Sequence, residues 1–205
     1  MNNYLSSEQE TELIELMNNC LYIKDCVSNK RKDTNSLSYL IDNPLSQSDC
    51  IKLGHGLEKL LVDIIVKKTH LQNIKTITQK GEKEKDHLFI DNENNIIYYA
   101  ELKSNLYLDT EKSKSTYTKC LEIVKKLKSD YPGYEIKWCL LGLRYLNYKE
   151  IPTVIKKKYD IIKNNLFGIN QYFEMLNINL KFDNKEYKKF LNTLATTMFN
   201  KTNNS

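Results

Sequence analysis

The sequence predicts an α/β (α+β) fold, a mixed central β-sheet flanked by helices in a single domain. Three observations lead there. Residues 86–91 and 96–103 are short segments rich in Ile, Leu, Phe and Tyr, separated by the polar run Asn92-Glu93-Asn94-Asn95, which is how a hairpin reads. Residues 136–143 are almost continuously apolar, the composition of a central strand buried on both faces. Segments with a 3.6-residue apolar period lie before and after these strands, as helices packed on a sheet do.

The bulk numbers agree. A chain of 205 residues lies within the range of one domain and can bury a core without disulfides. Its 40% hydrophobic and 28% charged residues are ordinary globular usage. With three Pro and six Gly, collagen-like and low-complexity readings are excluded. The net charge of +5 and a pI near 8.7 permit a polyanionic partner without requiring one. Five cysteines, an odd number with no C-x-x-C pair, form no zinc pattern with the three histidines. They read as reduced thiols in a cytoplasm-like compartment. The polar N-terminus is no signal peptide, and no run of about 18 apolar residues suggests a membrane span. A cytoplasmic protein without membrane contact is the expectation.

Taken in order, residues 7–27 read as an amphipathic helix with Leu13, Ile14, Met17, Leu21 and Ile23 on one side. Two capping boxes compete for its start, Ser6 with Gln9 and Ser7 with Glu10. Residues 28–47 are polar, contain Asp42-Asn43-Pro44, and read as a loop with a short helical turn. The next helix, 49–69, sets Ile51, Leu53, Leu57, Leu60, Leu61, Ile64 and Ile65 at helical spacing, with Glu58 toward a different side. Residues 71–78 form a candidate first strand anchored by Ile74 and Ile77. After the hairpin, 109–129 reads as a helix carrying Thr116, Cys120, Ile123, Val124 and Leu127 in phase, stopped by Tyr131-Pro132-Gly133. The C-terminal third is helical around Ile155, Tyr159 and Ile162, then at 170–176 and 185–199, before a polar tail. The single domain thus divides into an N-terminal helical segment (1–48), a core (49–145) and a helical C-terminal segment (146–205).

The chemistry concentrates on the hairpin. A turn centred between Glu93 and Asn94 sets Asp91 across from Ile96 and Asp86 across from Glu101. Opposed residues have Cβ atoms about 4.5–5.5 Å apart, and two carboxylates that close repel unless a positive group lies between them. A divalent cation is the obvious one. Side chains alternate along a strand, so Lys103 shares the face of Glu101 while Ala100 and Leu102 point to a core. Two acids and a lysine around one point equip a site for metal-assisted phosphodiester hydrolysis. Mg²⁺ takes one or two carboxylates plus water and phosphate oxygens, and a lysine adds positive charge where the transition state gains negative charge. The competing reading is a solvated strand face with a cross-strand pair.

Asp86, fourteen intervening residues, then Glu101-Leu102-Lys103 on a hairpin resembles the PD-(D/E)xK nuclease superfamily. The continuation through Cys120 looks like type II restriction endonucleases, in which the E-x-K strand leads into a helix rich in Lys, Ser and Thr and then a buried strand. The resemblance spans about 54–145, with Lys85 in place of the Pro that names the motif. It implies a restriction-endonuclease-like sheet and Mg²⁺-dependent, site-specific cleavage of double-stranded DNA leaving 5′-phosphates. Asp86 and Glu101 would bind the metal together with the Leu102 backbone carbonyl, and Lys103 would be the catalytic lysine. Glu58 matches a further acid that the family often places on the preceding helix; its competing reading is a surface carboxylate. A homodimer on a palindromic site is implied, and so are a cognate DNA methyltransferase in the same host and a bacterial or viral origin.

Several residues are candidates for DNA contact. Lys112, Lys114 and Lys119 could track phosphates, with Asn105, Ser113, Ser115 and Thr116 as neutral donors. A solvated helix face has the same composition. Arg144 and Asn147, after the buried strand, suit guanine and adenine edges, although any polar loop could carry them. His87 points away from Asp86 and reads as a structural histidine. Two rival functions stay open: another nuclease of the superfamily, such as a junction resolvase or repair nuclease, and a catalytically silent DNA-binding or interaction protein on the same scaffold.

Overall fold

A computed structural model of the chain describes residues 5–24, 45–76 and 82–199. Most of the expected polar loop, the end of the first helix, the end of the first strand and the C-terminal tail fall outside these residues. The element order is α1 (Ser7–Asn19), α2 (Leu21–Lys24), α3 (Gln47–Lys68), β1 (Gln72–Asn73), β2 (His87–Asp91), β3 (Ile96–Lys103), α4 (Thr110–Asp130), β4 (Glu135–Gly142), α5 (Thr153–Lys158), β5 (Leu166–Phe167), α6 (Ile169–Met175) and α7 (Asn184–Phe199). Among the described residues no helix is long and apolar enough to cross a membrane.

The chain splits into two compact units, Lys68–Ile178 and a helical unit made of Met1–Lys67 with Asn179–Ser205. These bounds differ from the segment bounds expected at 48 and 145.

In the helical unit, Ser6 resolves the choice between the two capping boxes. Its hydroxyl accepts the Gln9 amide (3.2 Å) and the Gln9 side chain accepts the Ser6 amide (2.9 Å). Leu13 and Met17 are buried, and α1 packs on α7. The Gln9 side chain also donates to the Asn179 carbonyl (2.9 Å), tying the two ends of this unit together. Ser46 caps α3 by accepting the Asp49 amide (3.0 Å), so the helix begins at Gln47, two residues before its expected start. Ile14 and Ile51, expected in the core, are exposed. Ile51 stands one helical turn from His55 and two from Glu58, so it shares their polar side and not the stripe of Leu53, Leu57, Leu60 and Leu61.

The sheet unit holds five strands in the order β1-β2-β3-β4-β5. β1, β2 and β3 are antiparallel neighbours, whereas β4 runs parallel to β3 and β5. This is a mixed sheet, and helices flank it as expected. The hairpin register is the expected one, with Asp91 opposite Ile96 and His87 opposite Ala100. Asn95 takes the left-handed backbone (φ 53°) that closes the turn, a conformation Asn tolerates. Asp91 holds the turn from inside: its carboxylate accepts the Glu93 and Asn94 amides (3.1 and 3.0 Å) and the Asn94 side chain (2.8 Å).

Each sheet face has its own cover. Helix α4 buries Cys120, Ile123, Val124 and Leu127 against Leu88, Ile97 and Tyr99. Farther along, Leu106 and Leu140 pack with Ile151, Ile155, Tyr159, Ile162 and Leu166. On the opposite face His87 is buried and its Nδ1 lies 2.7 Å from the Tyr172 hydroxyl of α6. That pairing matches the structural role read for His87. The two-residue strand β5 was not foreseen. Its backbone passes so close to the segment after β4 that a Cβ on Gly168 would lie 2.4 Å from the Asn147 nitrogen and the Leu146 carbonyl carbon.

Candidate active site at the end of the hairpin

The ladder between β2 and β3 stops at His87–Ala100, one residue short of the expected start. Asp86 therefore does not continue it with its backbone. Its carboxylate instead accepts the Leu102 amide at 2.6 Å, the amide between Glu101 and Lys103. In an extended strand the N–H and C=O of one residue point to the same edge. The Leu102 carbonyl is thereby carried to the edge where Asp86 sits. Lys103 uses the other edge, accepting the Leu143 amide at 3.0 Å.

The side chains of Glu101 and Lys103 stand on the α4 face, as alternation requires. Glu101 is 1% exposed. Burying a charge that deeply needs partners, and four hydrogen bonds supply them. Oε1 accepts Lys103 Nζ (2.7 Å) and Lys119 Nζ (2.8 Å), while Oε2 accepts Lys119 Nζ (2.8 Å) and the Tyr99 hydroxyl (3.2 Å). Asp86, Glu101, Lys103 and Lys119 together carry two negative and two positive groups, a balanced cluster.

The electrostatics follow from this packing. Burial works against the charge of Lys103, but Glu101 and then Asp86 more than offset it and hold the ammonium above the ordinary lysine range. Burial, with Cys120 and Glu101 behind it, pushes the Tyr99 phenol far above its usual range, so Tyr99 is a donor at any ordinary pH. The Cys120 thiol is pushed up to about 12 by burial and by Glu101. The only groups in this cluster that can carry positive charge are the two lysines.

No protein-family model, no curated protein and no solved structure matches the chain. The site is therefore read from its own chemistry. Among the described residues no three His, Cys, Asp or Glu side chains gather at one point. Two carboxylates at one strand end, with a main-chain carbonyl on the same edge, still match the oxygen donors Mg²⁺ takes, since water and phosphate complete its shell. The residues present fit such a cation in kind, provided one donor leaves Glu101.

Glu58 lies on α3, in the helical unit, with its carboxylate 3.7 Å from His55 Nδ1. Ser113 and Thr116 turn inward, a correction to their reading as DNA contacts. Both are buried, and their hydroxyls donate to the Leu108 and Lys112 carbonyls (3.4 and 2.8 Å). They occupy the apolar stripe of α4, where a short hydroxyl satisfies itself on the backbone. Asn105 caps its own loop by accepting the Tyr107 amide (2.7 Å), and the Asn147 side chain donates to Glu150 (3.1 Å). Lys112 is exposed and pairs with Asp109 at 3.2 Å. Arg144 is half-buried. Lys114, Ser115 and Lys119 line one open groove with Lys83, Glu111 and Thr118.

Two residues of the cluster escaped the sequence reading. Tyr99 is one: it shares the alternate face of Glu101 and Lys103, and its hydroxyl donates to Glu101. Lys119, a candidate for phosphate contact, is the other: it bonds to Glu101 and also lines the open groove.

Proposed function

We propose that this chain is a Mg²⁺-dependent deoxyribonuclease of the restriction-endonuclease-like kind, acting on double-stranded DNA. One observation carries the reading. The carboxylate of Asp86 is bonded to the amide between Glu101 and Lys103, so that two acids and a lysine converge on one strand end. Three further features support it: the expected hairpin register, a helix following the E-x-K strand, and after it a strand that is buried from Cys139 onward and lies parallel to the E-x-K strand.

The roles divide by charge. Asp86, Glu101 and the Leu102 carbonyl supply the oxygens that hold the cation. When bound, Mg²⁺ supplies Lewis-acid polarisation of the scissile phosphate. Lys103, kept protonated by its neighbours, places a fixed positive charge beside the phosphate oxygens and orients water toward phosphorus. Tyr99 fixes the rotamer of Glu101 from below. The groove of Lys114 and Lys119 gives the duplex backbone a path along α4. Site-specific cutting by a homodimer, 5′-phosphate ends and a partner methyltransferase extend the proposal through the type II resemblance.

Digestion of a sequenced plasmid with Mg²⁺, followed by end mapping, tests the reading. Discrete fragments with 5′-phosphates support a type II-like enzyme. Cutting confined to branched or damaged DNA would place it with the resolvases or repair nucleases.

A second reading has an observation in its favour. Glu101 is fully engaged by two lysines and a phenol, as in a structural ion-pair network. A catalytically silent DNA-binding protein would keep that network intact, bind duplex without metal and leave plasmid uncut.

A further inference from the structure

The Glu101 carboxylate is saturated. An ionised carboxylate offers about four lone-pair sites, and four hydrogen bonds from three groups fill them: Lys103 and Lys119 on Oε1, Lys119 and Tyr99 on Oε2. A cation can reach this acid only when one donor withdraws.

The three donors differ in their freedom to leave. Tyr99 is 0% exposed and locked in the core beneath α4. Lys103 is held from two sides, by Glu101 and by the charge of Asp86. Lys119 supplies two of the four bonds and comes from a different element; its side chain is 26% exposed, against 32% for Lys103, so what sets it apart is that Glu101 holds it without the second acid that holds Lys103. It also lines the open groove that carries Lys83, Lys114, Ser115 and Thr118, with Glu111 as the one acid. Lys83 pairs with Glu122 across this groove's border. Three lysines and one acid line the groove, two of the lysines paired with Glu101 and Glu122, and a lysine on a flexible stem can swing from one anion to another, such as a backbone phosphate.

We propose that Lys119 is an exchangeable positioning residue, which occupies Glu101 in the absence of DNA and transfers to a backbone phosphate when duplex enters the groove. This rests on the nuclease reading and adds a consequence to it. Cation and duplex each favour the state in which Lys119 has left Glu101, so each tightens the binding of the other. Linkage requires the two factors to be equal. Transfer also adds one phosphate contact, so the salt dependence of duplex binding is steeper in wild type than in Lys119→Met by nearly one unit of log–log slope.

Ca²⁺ binding to the full chain, measured by titration calorimetry with and without a mixed-sequence duplex, tests the proposal. Wild-type protein is expected to bind Ca²⁺ weakly alone and about tenfold or more tightly with duplex, a factor within the usual range of coupling. Lys119→Met is expected to bind Ca²⁺ more tightly than wild type without DNA, to gain less from duplex, and to lose the added salt slope. Lys119→Arg is expected to keep the coupling, and a circular dichroism melt separates misfolding from loss of exchange. If wild type couples the two ligands and folded Lys119→Met couples them equally, the role of Lys119 is refuted while the nuclease reading stands. If wild type takes up no Ca²⁺ under either condition, both fall.

Discussion

The carboxylate of Asp86 accepts the Leu102 amide at 2.6 Å, at the point where the β2–β3 ladder ends. One side chain thus terminates the hairpin and sets an acid beside the Glu101–Lys103 pair. Its structural and chemical duties can be separated. Asp86→Asn keeps an oxygen acceptor for Leu102, so its stability should lie within about 1 kcal/mol of wild type, whereas Asp86→Ala should lose about 1–3 kcal/mol by leaving a partly buried amide unmet. Both should lose cleavage. Urea denaturation beside a cleavage assay makes the distinction, and near-full activity in Asp86→Asn would remove the acid from the mechanism.

Lys103 should behave as a permanent cation. Its folded pKa is raised, so the stability it contributes is fully present below the unfolded lysine value of about 10.4 and is lost as pH rises through the higher folded value. The stability difference between wild type and Lys103→Met should stay flat from neutral pH to about 10 and shrink above it. A limb in the pH–rate profile near neutrality that disappears in Lys103→Met would contradict this.

Asp91 predicts the opposite pH window. Burial raises its pKa, but the Asn94 side chain, the Asn94 amide and His70 overcome that and bring it to about 2. A depressed carboxylate stabilises the fold above its unfolded value of about 3.9, and that contribution fades as pH falls through the folded value. Asp91→Ala should therefore cost about 1–3 kcal/mol at neutral pH. The difference from wild type should close on acidification between those two values, read by denaturant melts at stepped pH.

Gly168 tests the close approach of β5 and α6 to the segment after β4. With a Cβ 2.4 Å from backbone atoms that cannot move aside, Gly168→Ala should cost about 1–3 kcal/mol or more. A melt unchanged from wild type would mean that the two backbones part easily.

Much of the site was legible in the sequence because strands have a strict period of two. The Asn92–Asn95 turn fixes the register, and the register fixes which face Glu101 and Lys103 share. Tyr99 belongs to the same alternate series and could have been read with them. Lys119 could not. Helical spacing shows only that it borders the stripe of Thr116, Cys120 and Ile123, while its partner lies on a strand eighteen residues away. Ser113 misleads because a polar residue type suggests a polar face, whereas Thr116 fits both the apolar series and the polar reading, and the structure buries it in the series; both hydroxyls bond to backbone carbonyls. β5 is too short to show any period, and pairing with β4 alone defines it.

The most direct test of the account is single-turnover cleavage of duplex DNA by wild type, Glu101→Ala and Lys103→Ala with Mg²⁺, with duplex binding measured in Ca²⁺. Cleavage by wild type, a loss of about a hundredfold or more in each variant, and duplex binding in all three are expected. Cleavage by Glu101→Ala at the wild-type rate would contradict the account.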